Sequence, residues 1–237
     1  MTAADVDALR RAAEGGDAQA QAALGLALIE GSHLALDFVE GAKWSSLAAQ
    51  QGNAQGEANL GALYYNGWGV ERDWRAAARW YAEAAGRGHM DARYNLGVLY
   101  QKGHGIKRDP EKAAELYRGP AGRGHMYAQN NLGHLCETGI GVAQDFARAA
   151  VWYRKAATQN LAVAQGNLAR LQAAGKGVDE DPAAAYAWFA IAERNGDESV
   201  VDERKRWAAR LDAAALAKAG KAVESWFRRG RNYTKER

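Results

Sequence analysis

Residues 102–110 read KGHGIKRDP, and two incompatible readings of them are available. Two glycines flank a histidine and Lys107 and Arg108 follow, so backbone N–H groups and nearby cations could cradle a phosphate. The rest of the chain decides otherwise, because the stretch recurs. Gly-x-Gly stands at Gly67/Gly69, Gly103/Gly105, Gly139/Gly141 and Gly175/Gly177, a period of 36 residues. A loop that returns in phase is a joint between like units. It also lacks the Gly-Lys-Ser/Thr ending of a nucleotide loop, and no strand pattern precedes it.

Other residues keep the same period. Leu24-Gly25, Leu60-Gly61, Leu96-Gly97 and Leu132-Gly133 recur, continued by Leu168-Ala169. So do Asp37, Asp73, Asp109, Asp145 and Asp181, and Trp44, Trp80, Trp152 and Trp188, with Leu116 standing in once. Within a unit, Ala92, Leu96, Leu99 and Tyr100 fall on one face of a helix. Gly103 ends that helix in the left-handed conformation. Asp109 caps the next one, with Pro110 at its first position, as Pro182 follows Asp181. In the second helix Ala77, Trp80, Tyr81, Ala84 and Ala85 form the apolar stripe, and Gly61 and Gly97 let the paired helices approach closely.

A single hairpin cannot bury its apolar face, but stacked neighbours can share one core. The expected fold is therefore all-α, a right-handed α-solenoid of five helix-turn-helix repeats (16–51, 52–87, 88–123, 124–159 and 160–197). Residues 1–15 hold an N-terminal capping helix, residues 198–229 C-terminal capping helices, and 230–237 a basic tail. Composition agrees: alanine is abundant and β-branched residues are sparse. The segment from Arg228 carries a net +4 of a whole-chain +3, which leaves −1 for the rest and argues against a basic nucleic-acid groove. The start of the chain has no secretory pattern and no stretch is apolar enough for a membrane span, so a cytoplasmic location is expected. One cysteine, Cys136, allows no intrachain disulfide and no thiolate-rich metal site.

The phased pattern, seen best in ANLGALYYNGWGVERDWRAAARWYAEAAGRGH and NNLGHLCETGIGVAQDFARAAVWYRKAATQN, closely resembles the Sel-one-like repeat (SLR), a relative of the tetratricopeptide repeat. The resemblance covers residues 16–197, and the segment RWAARLDAAALAKAGKAVESW is similar to the tail of many bacterial members. It implies a non-enzymatic scaffold or adaptor that binds a protein or peptide, in signalling, envelope or host-interaction roles or in toxin neutralisation. A cysteine-rich branch of the family is associated with β-lactamase activity, so a hydrolase of that type is the alternative, though its paired cysteines are absent here. An RNA-binding helical repeat is a third reading.

No cofactor, metal or catalytic group is expected. His89 and His125 sit in equivalent turns one repeat apart, too far to share an ion. Cys136 takes a core phase, and no nucleophile–base pair is visible. The candidate binding residues are those that recur before the Leu or vary on its face. Asn59, Asn95, Asn131 and Asn167 align as a ladder, with Asn66, Lys102, His134 and Arg170 further along the same face and Tyr94 and Asn130 at its flank. Asparagine can bracket the amides of an extended peptide, or else bond neighbouring helices. Trp68 is a further edge contact, whereas Trp74 is read as a plug between repeats. One break is expected: Gly119-Pro120 inside the third second-helix should interrupt or kink it near Arg118.

Overall fold

The computed structural model describes residues 2–235. Among them are thirteen α-helices and no strand. The capping helix α1 (Ala3–Glu14) precedes five pairs. These are α2 (Ala18–Glu30) with α3 (Phe38–Gln50), α4 (Ala54–Asn66) with α5 (Trp74–Gly86), and α6 (Met90–Lys102) with α7 (Pro110–Gly122). Then come α8 (Met126–Thr138) with α9 (Phe146–Ala157) and α10 (Ala162–Ala173) with α11 (Pro182–Arg194). A 3-10 turn at Glu198–Val200, α12 (Val201–Ala208) and α13 (Ala213–Lys235) close the chain. α13 continues through most of the stretch assigned to the basic tail; residues 236–237 lie outside the described residues.

The joints explain the quoted stretch. Gly31, Gly67, Gly103 and Gly139 end their helices with φ of 65–75°. Nine residues after the first-helix carbonyl that it binds, each Asp returns: Asp109 donates its N–H to the Tyr100 carbonyl (2.9 Å), and Asp145 to that of Cys136 (2.8 Å). The Asp109 carboxylate then accepts from the Lys112 N–H at 2.9 Å, opening the next helix. The second glycine has a different task. A Cβ on Gly69, Gly105 or Gly177 would lie within 2.2–2.5 Å of backbone atoms of Phe38, Trp74 or Phe146, the first residue of the second helix one repeat earlier. Between the glycines, Trp68 stacks on Phe38 (5.1 Å), His104 on Trp74 (4.2 Å), and the Lys176 ammonium sits over Phe146 (5.3 Å). The Trp74 indole also donates to the Tyr65 carbonyl at 3.2 Å, which makes it the plug that was expected.

Within pairs, Gly61, Gly97 and Gly133 lie under the rings of Tyr81, Tyr117 and Tyr153, where a Cβ would come within 2.5–2.7 Å. Tyr117 and Tyr153 donate their hydroxyls to Gln101 and Glu137, each at 2.6 Å. Burial pushes the Tyr81 and Tyr153 hydroxyls well above the ordinary phenol range, and for Tyr153 the bond to Glu137 adds to it.

The described chain divides into two compact units, Met1–Pro120 and Ala121–Arg237. In the first, Leu24 and Leu28 pack with Trp44, Leu60 and Leu63 with Trp80, and Leu96 and Leu99 with Tyr81. In the second, Cys136, Tyr153, Leu168 and Leu171 form one cluster, and Phe189 with Val200 another. Ala219 and Val223 of α13 seal Ala187 and Ile191 of α11, beside Trp226. Cys136 is indeed core, 2% exposed, whereas the phased tryptophans pack on the clusters while staying half-buried.

The expected break at Gly119-Pro120 does not occur: α7 runs unbroken from Pro110 to Gly122. Proline's fixed φ is itself helical, and with only Ala121 and Gly122 to follow, its missing N–H affects the last turn alone. Gly119 has its own reason. A Cβ there would stand 3.0 Å from the Arg93 guanidinium, so glycine makes room for the large side chain of the facing helix.

Candidate functional site

Two sets of polar side chains recur on the first helices of each unit. The inner row lies three residues before each Leu, at Gln21, Glu57, Arg93, Gln129 and Gln165. Gln21, Gln129 and Gln165 are buried and donate to the carbonyls of Ala13, Ala121 and Ala157 at 3.0–3.1 Å, satisfying the end of the preceding helix. Arg93 reaches Ala85 in the same way. Thirty residues on, the turn after the second helix answers: Gln51 donates to Gln21, Arg87 to Glu57, Gln159 to Gln129 and Asn195 to Gln165, at 2.8–3.0 Å. This row is a staple between repeats. Its phase is visible in the sequence, but a mixture of Gln, Glu and Arg hides it.

The outer row is the asparagine ladder, and its members have different surroundings. Asn59 is 4% exposed. It donates to the Ala22 carbonyl (3.1 Å) and the Ser45 hydroxyl (3.3 Å) and accepts from Gln55 (2.8 Å), so its groups are spent inside the fold. The cause is Ser45, which stands where later repeats carry Tyr81, Tyr117 and Tyr153 and leaves room for the amide. Asn95 is half-buried, and its side chain makes no hydrogen bond among the described residues. Beside it Tyr94 packs its ring against Tyr117 at 5.6 Å. Asn66 is exposed and bonds its own helix at the Ala62 carbonyl; Lys102 is exposed too. Trp68, stacked on Phe38, is 42% exposed.

In the second unit the ladder is connected. Arg170 donates from Nη1 to Asn167 Oδ1 (3.1 Å), Asn167 to Asn130 Oδ1 (3.2 Å), and Asn130 to Asn131 Oδ1 in a long contact of 3.5 Å. His134 lies exposed one turn beyond Asn131. Arg170 is held by both carboxylate oxygens of Glu203 on α12 (2.9 and 2.8 Å), and that pairing raises its already high pKa. Glu203 lies in the capping segment, where no repeat phase points to it. His89 and His125 have a role the sequence reading did not give them: each caps its helix, with Nδ1 accepting from the Ala92 and Ala128 N–H groups at 3.2 Å. Among the described residues no group of His, Cys, Asp and Glu is placed to hold a metal, and no helix is long and apolar enough to cross a membrane.

The Sel1 repeat matches residues 18–53, 54–89, 91–118, 127–161 and 162–197, in step with the five helix pairs. No curated protein matches the chain. A solved Sel1 repeat protein from Oxalobacter formigenes is 28% identical, with a TM-score of 0.71, over 78% of this chain and 76% of that one. The c5321 protein, a protective antigen present in uropathogenic Escherichia coli strains and displaying an SLR fold, is 29% identical with a TM-score of 0.62. There the match takes in 95% of this chain but 56% of the other, so the chain spans little more than half of that antigen's length. With the repeat matched over most of its length and the same joints, caps and helix pairs in place, the chain belongs to the Sel1 repeat family.

Proposed function

We propose that this protein is a non-enzymatic scaffold or adaptor that holds a segment of a partner protein on the exposed face of its first helices. Sel1 repeat proteins generally mediate protein–protein interactions, and the family is typically non-enzymatic. The observation that carries the reading is the connected row on α8 and α10. It keeps half-buried amides at the surface, with N–H groups that no other described residue uses. Asn59 is left out of this surface because the fold consumes it. Tyr94, Asn95, Lys102 and Asn66 are the corresponding positions in the first unit, and Trp68 is a separate contact at its joint.

The test is alanine at Asn95 and Asn131 together, in a chain that has captured its partner from the native host. Neither side chain holds a short hydrogen bond, so stability should change by less than about 0.5 kcal/mol. Binding should weaken about tenfold or more, the equivalent of ~1.4 kcal/mol. Unchanged binding with a lower melting temperature would make these asparagines structural and move the interface to Trp68 or the capping helices.

A further inference from the structure

Arg93 breaks the pattern of the inner row. At the four equivalent positions Gln21, Glu57, Gln129 and Gln165 accept a hydrogen bond from the turn thirty residues on. A guanidinium has donors only, so Arg93 cannot accept one. Its one hydrogen bond among the described residues is a long one, 3.4 Å from Nη2 to the Ala85 carbonyl. A second exception faces it. Where the other second helices carry Leu47, Glu83, Lys155 and Ile191, α7 has Gly119, and a Cβ there would stand 3.0 Å from Arg93 Nη1. Glycine leaves that edge of the fork with no side chain against it. The two exceptions meet at a cavity of about 310 Å³ between α5, α6 and α7, walled by Ala82, Ala85, Leu96 and Leu116 and holding Arg93. Among the described residues, the one carboxylate that lines it is Glu115, which is exposed and taken by the Lys112 ammonium at 2.8 Å. That pair is neutral, so the cavity keeps the charge of Arg93. Asn95, two residues on, lies about 200° round α6, so the cavity is not on the face of the asparagines.

We infer that this cavity is a binding site for a small organic acid with an apolar body, its carboxylate on the Arg93 guanidinium and its hydrocarbon part among Ala82, Leu96 and Leu116. Ligand sites combine apolar walls with a few placed polar groups in this way. A guanidinium fork meets a carboxylate with two parallel N–H donors. Apolar walls strengthen that pairing relative to open water. A bare phosphate would use the charge and leave the walls idle, and a neutral analogue would use the walls and leave Arg93 unpaired. The site lies apart from the face proposed above, and neither reading requires the other.

Benzoate, benzamide and inorganic phosphate are the probes. Each is titrated into the intact protein while NMR follows the Arg93 Nε–H signal and the Leu96 and Leu116 methyls. Benzoate should shift all three saturably and bind about tenfold tighter than benzamide or phosphate. Arg93→Gln supplies the residue type of Gln21, Gln129 and Gln165, which make the same bond to the preceding helix. It should therefore keep the fold while weakening benzoate about tenfold. Ala82→Phe fills the cavity from an exposed position and should cost benzoate as much, with Arg93 intact. Benzamide or phosphate binding as tightly as benzoate would overturn the ligand class. Unchanged benzoate binding in Arg93→Gln, or no saturable shift of these signals in the intact protein, would overturn the site itself. If Arg93→Gln does not fold, Ala82→Phe decides in its place, and unchanged binding there overturns the site.

Discussion

Gly103 and Gly105 meet different requirements. Gly103 needs its left-handed backbone, with φ of 74°, and a Cβ there would meet the Arg108 Cβ at 3.1 Å. Gly105 has φ of 70° and also lies against the Trp74 backbone, where a Cβ would approach to 2.4 Å. Gly103→Ala should therefore cost about 1–2 kcal/mol, and Gly105→Ala more, about 2–4 kcal/mol, because rigid backbone must shift. Lys107→Ala and Arg108→Ala should stay within about 0.5–1 kcal/mol, since Lys107 is exposed and Arg108 gives up one bond to the Gln101 carbonyl. Urea melts of the four variants check the order; charge deletions that cost more than the glycine changes would restore the anion-site reading. Glycine and capping Asp were legible because one backbone requirement selects one residue type. The ladder was less so: phase puts Asn59 and Asn95 on the same face, and it takes the exchange of Ser45 for Tyr81 in the facing helix to bury one and leave the other at the surface.

At the scale of the helix, small residues have opposite meanings that composition alone does not separate. Gly133 on α8 is pressed under the Tyr153 ring, itself tied by its hydroxyl to Glu137. Gly220 in α13 has no atom within 4 Å of the place a Cβ would take. Gly133→Ala should destabilise by about 1–3 kcal/mol, and Gly220→Ala should stabilise by about 0.5–1 kcal/mol. Thermal melts of the two give opposite shifts if close packing, and not the residue type, is what matters. The continuous α7 has the same lesson. A rule about proline in helices predicts a break, yet the position near the C-terminal end decides the cost, and Gly119 beside it answers to Arg93 on another helix. The facing residue could not be assigned from the local sequence.

On the scale of the whole chain, the staples and stacks recur at 36-residue spacing within each compact unit and connect neighbouring repeats there. Stability in such a chain is a sum of repeat and nearest-neighbour terms. Removing residues 54–89 in frame takes out one matched repeat and presents α3 with the start of α6 where it had α4. The shortened protein should fold and unfold in urea with a smaller m-value, in proportion to the surface lost; removing half that length breaks the phase and should destabilise the chain more than removing the whole repeat. The repeat count and boundaries were legible because they are properties of spacing. The Arg170–Glu203 pair was not, since one partner lies in a capping helix that has left the repeat.

The joints have one more consequence, which concerns manufacture. In three of them the second glycine reaches back, from Gly69 to Phe38, from Gly105 to Trp74 and from Gly177 to Phe146. On the ribosome, the partner of each of these joints is made first and leaves the exit tunnel ahead of it. A nascent chain can therefore latch these hairpins as they emerge, without waiting for anything still to be translated.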